Sequence, residues 1–158
     1  MTATALGKKQ GEMLTRILRG LFEECDAEAV AVCEISGSIL AQEVRDPSKS
    51  FGNAAALAAA TFAAARALAE SIGEQGFRSI YHKGRKSGIM IQSLGGEFIV
   101  LVVLSEKSVE GIVRLYLKKV TRQLAAVVSG ADGQSLEDAG ISDDFEVVEK
   151  TDAPDRGQ

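Results

Sequence analysis

A chain of 158 residues, 46% apolar and 25% charged, has the make-up of one ordinary globular domain. No apolar run approaches the roughly 18 residues a membrane span needs. The start, MTATALGKKQGEM, has no apolar stretch after its lysines, so no secretory leader is expected and a cytoplasmic location follows by default. The net charge of −4 divides unevenly. Residues 129–158 hold nine acidic and two basic side chains (−7), whereas residues 1–128 hold sixteen basic and thirteen acidic (+3). A mildly basic body with an acidic tail argues against nucleic acid as the partner of the whole chain, and leaves the tail free to touch its own body or a basic patch elsewhere. Cys25 and Cys33 have neither metal-ligand nor redox spacing and read as small reduced core residues.

Residues 8–25 predict a first helix, because Met13, Leu14, Ile17, Leu18, Leu21 and Phe22 form one apolar stripe at helical spacing. From Ala27 to Ile35 the period drops to two, which predicts a strand; Ser36-Gly37 turns the chain, and Ile39–Val44 returns. A loop holding Asp46-Pro47 leads into NAAALAAATFAAARALAESIG, Asn53 to Gly73. Alanine has the best helix propensity, Asn53 is a capping residue and Gly73 can close the helix in the left-handed region. Three strands follow at Phe77–His82, Gly88–Leu94 and Phe98–Leu104, the last two joined by Gly95-Gly96. The string FIVLVVL is apolar on both faces and should be the central strand. Ser108 is placed to cap a final helix running through Val128, with Arg114, Lys118, Lys119 and Arg122 on its outer side. The order is helix, two strands, helix, three strands, helix: a domain over residues 8–128 and an acidic, flexible tail over 129–158. Within the tail, residues 141–148 (ISDDFEVV) keep enough apolar side chains to dock.

The alanine helix organises the rest. At about 100° per residue, Leu57, Thr61, Ala65, Leu68 and Ile72 share one side with Phe62 and Ala69 at its margin, and that side is expected to lie on the sheet. Ala56, Ala59, Ala60, Ala63 and Ala67, bordered by Arg66 and Glu70, are expected on the far side. A helix that met only water would carry long polar residues there, so a strip of methyl groups points to close approach by another protein.

Catalytic constellations are scarce. His82, the only histidine, has no nucleophile near it in sequence. Gly84-Arg85-Lys86-Ser87 lacks the earlier glycine of a phosphate loop and lies between strands instead of before a helix. Asp143, Asp144 and Glu146 stand in a polar tail with nothing to shift their titration. No metal set and no cofactor motif is visible, and a small-ligand sensor is disfavoured because the apolar positions are used as core. The chain reads as a non-enzyme.

Several strings then resemble one family. FRSIYHKGRKSGIMIQSLGGEFIVLVVLSEKS and GIVRLYLKKV, with Phe77, the Tyr81-His82-Lys83-Gly84 turn, Gly95-Gly96, Gly111 to Leu115 and Lys118-Lys119, are similar to the Roadblock family, in particular its bacterial MglB-like branch. The tail's Ile141-Ser142-Asp143-Asp144 resembles the short C-terminal element of that branch. The resemblance spans roughly residues 10–128. It implies an α-β-β-α-β-β-β-α sandwich of the α+β class, with a five-stranded antiparallel sheet covered by helices on both faces. It also implies a homodimer made by central helices and third strands, involving Thr61, Phe62 and Phe77, Arg78, Ser79, Ile80, Tyr81, His82. The implied partner is a small Ras-like GTPase of the MglA type in cell polarity or motility. That GTPase would meet Ala56, Ala59, Ala60, Ala63, Arg66, Ala67 and Glu70, and would be touched by Ile141, Ser142, Asp143, Asp144 and Phe145. The family supplies no arginine finger, so Arg66 is not expected to act as one. The loop Ser50-Phe51-Gly52-Asn53 departs from the Asp-Thr-Thr type of start associated with that branch. A non-catalytic scaffold subunit of a motor, filament or signalling complex is the other class of function compatible with these residues.

Overall fold

The computed structural model describes residues 6–130. Helix α1 (Lys8–Glu24) leads to strands β1 (Ala27–Glu34) and β2 (Ile39–Val44); helix α2 (Gly52–Ser71) follows. Strands β3 (Ser79–Lys83), β4 (Gly88–Gly95) and β5 (Phe98–Leu104) precede helix α3 (Glu110–Val128). The sheet is antiparallel throughout, in the order β2-β1-β5-β4-β3. The expected α-β-β-α-β-β-β-α order holds, and FIVLVVL is the central strand, as its two apolar faces require.

Alternation along the strands creates two cores. Val30, Val32, Met90, Leu94, Val100, Val102 and Leu104 point to one side of the sheet. There they meet Leu14, Ile17, Leu18 and Leu21 of α1 and Val113, Leu117, Val120 and Leu124 of α3. Ala31, Cys33, Ile91, Ile99 and Leu101 point to the other side and, among the described helices, meet α2 alone, through Ala55, Ala58, Ala59 and Phe62. One face therefore carries two helices and the other carries one, which packs on β1 and β5.

Local chemistry explains the ends of these elements, with two corrections to the expected caps. The backbone amide of Glu74 donates to Ala69 O (2.9 Å) and that of Gly73 to Glu70 O (3.1 Å), with Gly73 at φ 77°, so α2 closes in the paired hydrogen-bond pattern glycine permits. Asn53 does not cap it. The helix starts one residue earlier, Phe51 holds the cap position without a side-chain bond, and Ala55 N–H donates to the Phe51 carbonyl. Ser108 does not cap α3 either. Its hydroxyl accepts from the Ser105 amide (2.9 Å) and donates to the Asp26 carbonyl (3.0 Å), which ties the start of α3 to the α1–β1 corner. Ser105 Oγ donates to the same carbonyl at 2.6 Å. Asp26 sits at φ 46°, among the described residues the only non-glycine in the left-handed region. Gly95 and Gly96 both take positive φ (91° and 57°), and the register slips between Ser93 and Gly95, so the tight hairpin carries a bulge.

Cys25 and Cys33 are buried and unpaired. Burial pushes the Cys25 thiol up to about 12, with help from Glu24 and Asp26, and the Cys33 thiol up to about 11. Both behave as core hydrophobes, as their spacing suggested.

Candidate interaction surface

Helix α2 is rotated about its axis relative to the sequence expectation: Phe62 and Ala69, expected at the inward margin, lie in the core, and Leu57, Leu68 and Ile72 turn outward. The residues on the sheet are Ala55, Ala58, Ala59, Phe62 and Ala69. Leu57, Leu68 and Ile72, expected inward, are 68%, 57% and 68% exposed. Thr61 and Ala65 are half-buried. The Thr61 hydroxyl is satisfied within the helix by the Leu57 carbonyl at 2.8 Å. The packing explains the rotation. Ile91, Ile99 and Leu101 already fill the space over the sheet, so the helix comes down on methyl groups and a single phenyl ring, and the larger aliphatic side chains are turned outward.

The expected partner strip is redistributed accordingly. Ala56, Ala60, Ala67 and Glu70 are exposed or nearly so, and Ala63 and Arg66 are half-buried. Ala59 is 1% exposed and belongs to the core, so it cannot meet a partner. Around the helix axis the free surface has two flanks: Leu57, Leu68 and Ile72 on one, the small Ala56, Ala60 and Ala67 on the other. Arg66 reaches the β4–β5 turn, where its guanidinium lies 3.5 Å from Glu97.

Of the residues expected to pair two copies, Phe62 is 4% exposed and packs inside the protein, a second correction. Phe77, Ile80 and Tyr81 are half-buried; Ser79 and His82 are exposed. Among the described residues strand β3 is the sheet's edge, so one row of its backbone groups has no strand partner there. The strand starts at Ser79 rather than Phe77, although the Arg78 carbonyl still accepts from the Ser93 amide at 2.8 Å. The Tyr81 ring lies over Gly88, where an added Cβ would come within 2.9 Å of it, and carries the Arg114 guanidinium at 5.2 Å. Ile141, Ser142, Asp143, Asp144 and Phe145 lie outside the described residues.

Among the described residues no three His, Cys, Asp or Glu side chains converge as a metal site would require. The Tyr116 hydroxyl donates to Glu24 Oε2 at 2.9 Å, and that bond with partial desolvation raises its pKa. Tyr81 is likewise raised, by desolvation and by Glu110. Both shifts move away from neutrality. No helix among the described residues is long and apolar enough to cross a membrane.

A layered sheet with one helix on one face and two on the other, in this strand order, defines a Roadblock-type domain. The chain belongs to that family: the Roadblock/LC7 domain model matches residues 13–105, from α1 to the end of β5. Solved structures of MglB proteins are similar to it. The gliding protein MglB of Thermus thermophilus superposes with a TM-score of 0.76 at 24% identity, covering 83% of this chain and 100% of that one. Myxococcus xanthus MglB gives a TM-score of 0.73 at 21% identity, covering 80% and 95%. An MglB with a tetrameric arrangement gives 0.74 at 23% identity, covering 84% and 100%. No match is found among curated proteins.

Proposed function

We propose that this protein is a homodimeric, non-catalytic regulator of a small Ras-like GTPase of the MglA type. It promotes GTP hydrolysis on that partner and, through its C-terminal segment, nucleotide exchange. The observation that carries this reading is the outer side of α2. Leu57, Leu68 and Ile72 stand more than half exposed on the one helix that covers its sheet face alone. Exposed aliphatic patches of this kind mark protein contacts. The aliphatic flank suits a second copy of the chain beside the free edge of β3. The alanine flank, Ala56, Ala60 and Ala67 with half-buried Ala63, lets a partner's backbone come close. Arg66 and Glu70 border it. On this reading the GTPase supplies the chemistry and the α2 surface supplies only shape.

The test adds the protein to a purified small Ras-like GTPase of the MglA type and follows GTP turnover and release of a fluorescent nucleotide. Native protein should accelerate turnover, and Ala60→Arg with Ala67→Arg should abolish this while leaving the fold intact, since both positions are exposed. Burying an unpaired charge in an interface costs several kcal/mol after relaxation, whereas each tenfold in affinity is worth about 1.4 kcal/mol. Undiminished stimulation by the double arginine variant would remove the alanine flank from the contact. Binding without any change in turnover or release would instead identify a scaffold subunit.

A further inference from the structure

We infer that the C-terminal segment Ile141–Val148 docks back onto the domain, in the groove between strand β3 and helix α3. The groove, of about 420 Å³, opens on the two-helix side of the sheet at its free edge. Met90 and Leu117 give it an apolar floor; Tyr81, Arg114 and Lys118 form its polar wall.

Charge identifies the occupant. Residues 77–96 and 111–130, which the fold brings together as β3, its turn, β4 and α3, contain eight cations and no Asp or Glu. The cations are Arg78, Lys83, Arg85, Lys86, Arg114, Lys118, Lys119 and Arg122. The other residues of 1–128 hold eight basic and thirteen acidic side chains, so the body's positive excess is concentrated on this one region. Among the described residues only Arg114 of the eight makes an ion pair, to Glu110 at 3.0 Å. The stretch ISDDFEVV has the matching chemistry: Asp143, Asp144 and Glu146 set between Ile141, Phe145, Val147 and Val148. Aliphatic and aromatic side chains suit the floor, and carboxylates suit the rim.

Length permits the return. From Gly130 back to Arg114 is about 24 Å along the helix at about 1.5 Å per residue. The chain from Gly130 to Ile141 can span up to about 36 Å when extended. A tether of this length holds the segment at an effective concentration on the order of 1 mM, so even an intrinsic dissociation constant of about 0.1 mM leaves roughly ten docked molecules for each open one. The groove lies across the sheet from α2, so docking withholds the tail from a partner on α2 without blocking that helix. The contact does not depend on the proposed GTPase.

The full chain carrying Phe145→p-benzoylphenylalanine is irradiated and its crosslinks are mapped by mass spectrometry. Crosslinks are expected on the groove's lining, around Tyr81, Met90 and Leu117. The yield should drop at least about fivefold between about 0.05 and 0.5 M salt, where the Debye length shrinks from about 14 to 4 Å. Arg114→Glu with Lys118→Glu should give the same loss, as should Asp143→Lys with Asp144→Lys, which leaves the body untouched. Heavy- and light-isotope chains mixed before irradiation show whether the tail occupies its own groove or a partner's; either supports docking. Crosslinks scattered over the surface, or indifferent to both charge reversals, would overturn the inference. So would recruitment to phosphatidylserine vesicles through Arg114 and Lys118 with no groove crosslink from position 145.

Discussion

Removing the aliphatic flank of α2 should separate association from folding. Leu57, Leu68 and Ile72 are 68%, 57% and 68% exposed, so each has well over half of its burial still to gain. Complete burial of such a side chain is worth about 1.5–3 kcal/mol, which leaves about 1–2 kcal/mol for each when a partner covers it. A two-fold interface counts every residue twice, and six side chains set a ceiling of about 6–12 kcal/mol. Coverage is incomplete at a real interface and the gain is shared with ordering costs, so about half of this, 3–6 kcal/mol, is a working figure. The triple variant Leu57→Ala, Leu68→Ala, Ile72→Ala should therefore weaken self-association by about 10²- to 10⁴-fold. The isolated fold should be indifferent or slightly firmer, because the side chains touch little of their own chain and alanine is the better helix former. Sedimentation equilibrium gives the association constant, and a urea melt of the variant gives its stability. A variant that associates within about threefold of the native chain would refute the assignment. A loss of more than about 2 kcal/mol in melts run at concentrations where both chains are monomeric would show instead that these side chains pack within the domain.

Four further outcomes are expected. Arg66→Ala should reduce GTPase stimulation by less than tenfold, because an arginine finger is worth about 10³–10⁵ in rate and Arg66 is engaged with Glu97 in an exposed pair. Asp26→Val should cost about 1–2 kcal/mol in a urea melt, whereas Asp26→Gly should be nearly neutral, since a β-branched residue resists the positive φ that glycine accepts. Gly88→Ala should be destabilising by about 1–3 kcal/mol, because its Cβ meets the Tyr81 ring and the His82 carbonyl oxygen, each at 2.9 Å. Stability should decline at high pH: both thiols titrate higher in the fold than in the unfolded chain, so their contribution is complete below about pH 8.5 and is lost as pH rises towards about 11 for Cys33 and 12 for Cys25. Denaturant melts across that range, repeated on Cys33→Ala, should show a shallower decline in the variant.

Most of the fold is legible in the sequence because its strands and outer helices have strong contrast. The stripe from Met13 to Phe22 and the alternation of Val30 and Val32 each admit one placement, and FIVLVVL fits only a covered central strand. The caps are less legible. Asn53 and Ser108 are good capping types, but Ser108 is claimed by the Asp26 carbonyl, eighty-two positions away in the chain, which no local rule detects. The orientation of α2 fails for a deeper reason. Its apolar residues surround most of the helix, so periodicity offers little contrast and size is the remaining guide. Size misleads here because a helix that lies close to a sheet of large side chains needs small ones beneath it. The larger ones are kept for whatever covers the outer side. Ala59, placed on the partner strip by its helical spacing, is in the core for that reason, while Phe62, given to the dimer by resemblance, is the one large ring the helix sets on the sheet.

The flanks of α2 and the basic groove lie on opposite faces of the sheet and meet only at the edge of β3, so their tests separate wherever the variants lie on α2 or α3. The aliphatic and alanine flanks of α2 lie over one face of the sheet, while the basic groove opens on the other face beside α3. The two share no side chain: Leu57 and Leu68 are separated from Arg114 and Lys118 by the thickness of the sheet. Reversing the charges of Arg114 and Lys118 should consequently leave the association constant within about twofold, because exposed charges separated by more than a Debye length are largely screened. Equally, the α2 triple variant should keep the Phe145 crosslinks in place within a single chain. A charge reversal on α3 that also dissolved the dimer would mean that the two-helix side of the sheet takes part in association. The groove would then be an interface between copies rather than a seat for the tail.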